Sequence, residues 1–195
     1  MSLTEAQVEI ANQAVVRIGA KTFTYAIQTS NEAVKCNLLF EPTRKSLLRS
    51  FEWNFASARA ALTAEITGPD FEYTYRYKLP SDFLRLFKKK GLYSEYPRKI
   101  EGDYLLTDDD AAQIKYVRNI TDPAKFDPLF TEVFVLTLAK KMIPPLAGTK
   151  SNPLQESVLM DLREAMFRAK AVCRSENDET IDTTWNSSRY GTGII

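Results

Sequence analysis

SLLRSFEWNFASARAALTAEITGPDFEYTYRYKLPSDFLRLF, residues 46–87, holds the change of rhythm that decides the fold. Its opening, with Leu47, Leu48 and Phe51, closes an apolar helical face. The block Trp53-Asn54-Phe55-Ala56 follows, then a run of small residues. From Phe71 the period becomes two. Phe71, Tyr73, Tyr75, Tyr77 and Leu79 alternate with Glu72, Thr74, Arg76 and Lys78, as in a half-buried strand. Pro80-Ser81-Asp82 hinges that strand to another at 84–88. Trp53 and Phe55, beside Phe51 at a helix end, read as core anchors where helix meets sheet, not as a ligand site.

Upstream of this stretch the pattern is helical. Ser2 stands three residues before Glu5, a capping-box spacing, and Val8, Ala11, Val15 and Ile18 recur at helical intervals until Gly19. A second capping box pairs Thr29 with Glu32, and an apolar face follows through Ala33, Cys36 and Phe40. Pro42 has no N–H to donate, so a kink or split is expected near Phe40. Downstream, short strands are expected at 60–66, 98–101, 104–107 and 114–120, with a turn at Glu101-Gly102-Asp103. Helix returns after Asp127, a good N-cap with Pro128 at the first helical position. The stretch from Leu129 to Ile143 is apolar nearly all round, which predicts a central helix ended by Pro144-Pro145. Asn152 caps a last long helix whose stripe runs through Leu154, Val158, Leu162, Ala165, Ala169 and Val172. The fold class expected is therefore α+β: an antiparallel helical bundle (1–57 and 121–176), an inserted and mainly antiparallel β-sheet layer (58–120), and an extended C-terminal tail (177–195).

Composition narrows the chemistry. The chain has 195 residues, 44% apolar and 26% charged, within the range of an ordinary globular domain. Lys and Arg number 26 against 25 Asp and Glu, a net charge of +1, far from the basic excess of a protein that wraps nucleic acid. Histidine is absent from the sequence, which removes Ser-His-Asp and Cys-His catalysis and the commonest metal ligand. No cofactor or metal is expected, and the expectation is a non-enzyme. Cys36 and Cys173 lack paired ligand spacing and read as small buried apolar residues, with a disulfide between the two helices as the alternative. The first residues carry Glu5 and Glu9 without a basic n-region, so a soluble chain without a cleaved signal is expected.

Several short motifs read more simply as surface. Asp108-Asp109-Asp110 lacks the Gly and terminal Glu of a calcium loop, and Gly148-Thr149-Lys150 lacks the upstream Gly of a phosphate loop. Lys88, Lys89 and Lys90, with Arg85, Arg98 and Lys99 nearby and Tyr93 and Tyr96 between, form the one candidate nucleic-acid contact, though a solvated loop tip explains them as well. Residues 177–195 are polar, with Ile181, Trp185, Tyr190 and Ile194-Ile195 as the large apolar side chains. Ordering each residue costs roughly 1–2 kcal/mol of backbone entropy. A few such side chains, at about 1.5–3 kcal/mol each, do not offset that without a groove to receive them. The segment therefore reads equally as a frayed terminus or as one that orders against a partner, with Trp185, Arg189 and Tyr190 as the candidate assembly contacts.

In its order of parts the chain resembles the head-to-tail adaptors of short-tailed bacteriophages, the tail tubular protein A family. The likeness is carried by Arg17-Ile18-Gly19-Ala20, Asn31-Glu32-Ala33, the Trp53 block, Leu79-Pro80-Ser81-Asp82-Phe83-Leu84-Arg85, the long last helix and Ser188-Arg189-Tyr190. Phe83 departs from the smaller residue, such as Cys, that relatives often carry. The resemblance implies a structural virion protein, made in the host cytoplasm, that forms a dodecameric ring below the portal protein. Such a ring extends the DNA channel, lets DNA pass without specific binding, and docks the next, nozzle-type tail protein; no membrane is involved. The alternative from another class is a nucleic-acid-binding module using the basic 85–99 region.

Overall fold

A computed structural model describes residues 3–24, 29–87, 97–147 and 152–176. Among these the chain is mixed α+β, with four helices and two small antiparallel three-stranded sheets. The order is α1 (Glu5–Arg17), α2 (Asn31–Ser50), β1 (Ser57–Ala61), β2 (Tyr75–Lys78), β3 (Phe83–Leu86), β4 (Arg98–Glu101), β5 (Tyr104–Thr107), β6 (Gln113–Arg118), α3 (Pro128–Ala147) and α4 (Asn152–Ser175).

The helix ends follow local chemistry, shifted slightly from the expected residues. Thr4, not Ser2, caps α1: its hydroxyl accepts from the Gln7 N–H (3.4 Å), and the Gln7 side chain accepts from the Thr4 N–H (3.0 Å). Leu3 and Val8, at the staple positions around that cap, are both buried. At the other end Gly19 adopts φ +68, and the N–H groups of Gly19 and Ala20 return to the carbonyls of Val16 and Val15. This crossed pair of bonds stops the helix and needs a residue at ease with positive φ. Ser30, one residue after Thr29, caps α2 through the Ala33 N–H.

The split offered near Phe40 and the stop expected at Pro144-Pro145 are both corrected. α2 runs unbroken through Pro42, and α3 continues through Pro144 and Pro145 to Ala147. All three prolines are exposed, as is Leu38, whose carbonyl loses its donor to Pro42. Carbonyls freed on a solvent-facing side are rehydrated, so the helix survives the missing bond.

α3 is the common partner of the other three helices. It buries Phe130, Phe134, Leu138 and Met142 along one face and Val133, Leu136 and Ile143 on others. Ala11 and Ala14 on α1 and Ala165 and Ala169 on α4 are buried in the same core, small side chains that let neighbouring helices come close. Phe40 of α2 meets Phe134 edge-on, their centroids 4.9 Å apart.

The sheet region differs from the single layer expected. One sheet has the order β1-β6-β3, the other β2-β5-β4, and every pairing is antiparallel. The hinge at Pro80-Ser81-Asp82 therefore does not join paired strands. It carries the chain from one sheet to the other, and Asp82 pins the crossing by accepting from the Tyr116 hydroxyl (2.9 Å) and, through its carbonyl, from Asn119 (2.6 Å). Ala58, Ala60, Phe83, Leu86, Ile114 and Tyr116 of the first sheet share a core with Tyr77 and Leu105 of the second. The hairpin β4-β5 stands where the sequence puts it, with Gly102 at φ +56. The aromatic strand is shorter than its alternation implies: β2 begins at Tyr75, because the chain bends at Glu72 (φ +70) and Phe71 is 74% exposed. β1 lies three residues earlier than expected, drawn to Ser57 by its register with Val117.

Trp53 joins the two regions. It is 2% exposed, its indole N–H donates to the Leu47 carbonyl (3.0 Å), and its ring meets Phe51 and Phe130 edge-on. Val117 of β6 belongs to the same core. Trp53→Ala is expected to destabilise the protein by about 3–5 kcal/mol, and Phe71→Ala by less than about 0.5 kcal/mol. Urea unfolding followed by circular dichroism measures both.

Candidate functional site

Neither sequence-derived candidate falls on the described residues. Lys88, Lys89 and Lys90, with Tyr93 and Tyr96, lie outside them, and so do Trp185, Arg189 and Tyr190. The flanks of the basic segment are described, and their charges are engaged. Arg85 pairs with Glu52 (3.5 Å). Arg98 pairs with Asp109 (3.1 Å) and donates to the Gln113 carbonyl (2.8 Å). Lys99 lies between Glu101 (2.8 Å) and Glu72 (3.4 Å), whose carboxylates raise its pKa. A cation already paired this closely offers less to a phosphate than a free one.

The acidic run is a turn. Asp108 accepts from the Thr74 N–H and hydroxyl (2.8 and 2.9 Å), and Asp109 accepts from the Ala111 N–H as well as Arg98. Among the described residues no group of three or more His, Cys, Asp or Glu is arranged to hold a metal ion. No helix among them is long and apolar enough to cross a membrane.

Both cysteines are buried free thiols in separate surroundings. Cys36 contacts the Met142 sulfur (3.6 Å), and burial pushes its thiol up to about 12. Cys173 donates to the Glu52 carbonyl (3.5 Å) and accepts from the Asn54 N–H (3.3 Å), and burial raises it too. Held protonated, neither is a ready nucleophile. Tyr116 is likewise pushed up to about 12, first by burial and then by its bond to Asp82.

The polar centre that sequence reading missed is Arg44. In the run Glu-Pro-Thr-Arg-Lys it looks like a solvated helix position, yet it is 0% exposed. Its guanidinium forks onto Glu41 (3.0 and 2.7 Å) and reaches the side chain of Asn119 (2.8 Å) and the carbonyl of Ile120. The Gln7 amide holds the next carbonyl, that of Thr121 (3.3 Å). Together α1 and α2 clamp the chain where it leaves β6. Beside the clamp, Thr4, Gln7, Glu41, Thr121 and Asp122 line an open groove of about 480 Å³. A larger one, about 610 Å³, runs between α1 and α3 past Asn12, Val16, Thr131 and Val135.

The surface also exposes large apolar side chains. Ile66 and Phe71 project from the loop before β2, and Met160 and Phe167 lie on α4. Scattered singly such residues need no explanation, and grouped ones mark contacts with other proteins.

Compared with known proteins, the chain matches no family model and no curated protein.

The clamp makes stability depend on acid. The Arg44 guanidinium, by hydrogen bond first and charge second, holds the Glu41 carboxyl below its ordinary 4.5. A carboxyl lowered in the folded state contributes stability above its unfolded pKa and loses it as pH falls through the folded value. Glu41→Gln is expected to cost about 1.5–3 kcal/mol near neutrality, the worth of a hydrogen bond to a charged group. Its deficit against the parent should shrink as pH falls below the ordinary 4.5. Urea midpoints of the two proteins across pH 7 to 3 give the comparison.

Proposed function

We propose that this protein is a structural component of a virion: a head-to-tail adaptor that assembles as a ring below the portal, extends the DNA channel and docks the next tail component. The observation that carries this reading is the ordered series of motifs from Arg17-Ile18-Gly19 through the Trp53 block and the Leu79–Arg85 segment to the long last helix. The positions of those motifs suit it. The Trp53 block sits where helix hands over to sheet, and Pro80-Ser81-Asp82 carries the chain between the two sheets. In this reading residues 1–57 and 121–176 form an antiparallel bundle, 58–120 an inserted sheet region, and 177–195 an extended tail that locks each subunit to its neighbours. The protein acts through assembly, without catalysis or cofactor, on the portal, on further copies of itself and on a nozzle-type tail protein. A net charge of +1 suits a channel wall that DNA slides past, since phosphate contacts to free Lys and Arg would hold it.

The alternative, a nucleic-acid module built on residues 85–99, is weakened by the ion pairs of Arg85, Arg98 and Lys99. Weak duplex binding without sequence preference is the expected result for the isolated chain. Submicromolar binding at physiological salt, lost when Lys88, Lys89 and Lys90 become Glu, favours the alternative.

Electron microscopy of the protein mixed with purified portal tests the adaptor reading directly, with a ring of added density below the portal expected. Deleting residues 177–195 should leave fold and solubility intact and abolish stable attachment. Trp185→Ala should reproduce part of that loss. Normal attachment by the truncated protein removes the tail from the assembly mechanism.

A further inference from the structure

Each sheet ends in two strands with a free side, and three of those four edges are guarded. β2 is flanked by the chain that precedes it, through the bridge of Ala64 to Tyr77 and the Glu65 N–H donated to the Arg76 carbonyl (2.8 Å). β3 is broken in register between Phe83 and Arg85, and Arg49 occupies its Leu84 carbonyl. β4 carries Arg98, Lys99 and Glu101 in four residues. A covering segment, a bulge and clustered charge are the means by which folded proteins keep sheet edges from pairing with other chains. β1 is different. It keeps an unbroken register with β6 from Ser57 opposite Val117 to Ala61 opposite Gln113, and the Leu62 N–H extends the ladder to the Ala112 carbonyl (2.9 Å).

That last bond fixes the alternation. Ala58, Ala60 and Leu62 turn their backbone groups to β6, so Arg59 and Ala61 turn theirs to the open side. No described residue bonds to those groups, and both residues are exposed. Arg59 then selects what can pair there. It lies opposite Lys115 of β6, which stands over the Phe87 ring (4.5 Å), and neither cation has a carboxylate partner among the described residues. Like charges directly opposite one another destabilise a strand pair, and opposite charges stabilise it. A second β1 is therefore a poor partner, because the antiparallel register that pairs all five residues sets Arg59 against its own copy. A strand with an acidic side chain at that position is a good one. On the other face Ala58 and Ala60 border the core of Tyr77, Ile114 and Tyr116 and are only half-buried, so apolar neighbours on the incoming strand would complete it.

We propose that the free side of β1 receives an extended segment of another protein as a fourth antiparallel strand, with a carboxylate facing Arg59 and an apolar residue on either side of it. The unpaired backbone supplies the attachment, and the Arg59–Lys115 pair rejects basic strands and accepts acidic ones. This stands whether or not the adaptor reading holds.

The synthetic peptide Gly-Ser-Thr-Val-Glu-Val-Thr-Ser-Gly, added to the full chain, tests it by fluorescence anisotropy and by amide hydrogen exchange resolved by residue. The Arg59 and Ala61 amides should exchange freely in the protein alone and slow several-fold with millimolar peptide. A peptide with Lys in place of Glu should bind several-fold more weakly, and Arg59→Glu should invert that preference, which a misfolded variant would not do. Methylating the peptide's Glu nitrogen, which points at β1, should abolish binding, and methylating the two Val nitrogens, which point away, should not. Equal binding of the Glu and Lys peptides, no added protection at Arg59 and Ala61, or no inversion in Arg59→Glu overturns the proposal. Protection of those two amides before any peptide is added would mean that the edge is already covered, by the chain itself or by a second copy, and overturns it as well.

Discussion

A guanidinium taken wholly out of water must find its partners inside the protein, and Arg44 obliges two separate segments to meet. Its fork holds Glu41 one turn back on α2, and its remaining donors fix Asn119 and Ile120 just after β6. The cost of desolvating a charge is recovered only while each of these bonds is in place. The exit from the sheet region is therefore fixed relative to α2, and Gln7 adds α1 to the same junction. The entry to that region is fixed differently, by the burial of Trp53 against Phe130 of α3. An apolar anchor at one crossing and a polar clamp at the other hold the strands against the helices.

Between those crossings the two sheets depend on contacts made far apart in sequence. β6 lies at the centre of the first sheet, pairing with β1 on one side and β3 on the other. Its outer partners come from opposite sides of the 62–74 loop, so neither forms until the chain has doubled back. The second sheet is more local, since β4 and β5 are joined by the tight turn at Gly102. The shared core around Tyr77, Leu105 and Tyr116 makes each sheet necessary to the other. An isolated three-stranded sheet of four-residue strands would bury little on its own.

The surface is held to a similar logic of pairing. Arg76 binds Glu65 (2.8 Å), Lys99 binds Glu101, and Arg98 binds Asp109. Near neutrality in overall charge is thus matched by local neutrality over much of the sheet region.

The sequence by itself determined what depends on neighbouring residues. Gly19 and Gly102 mark reversals that need positive φ, Asp127 caps α3, and the all-round apolar run makes α3 central. Trp53 is legible as an anchor because a large aromatic between two periodicities has nowhere else to go. Tertiary structure decided the rest. Alternation from Phe71 to Leu79 states which side chains want burial, but not that Glu72 turns the chain away and leaves Phe71 in solvent. Pairing of β1 with β6 across more than fifty residues, and hence two sheets instead of one, has no local signal. Arg44 is the clearest case. Its charge alone reads as surface, and only the arrival of Asn119 and Ile120 from another part of the chain gives a buried guanidinium enough acceptors to stay there.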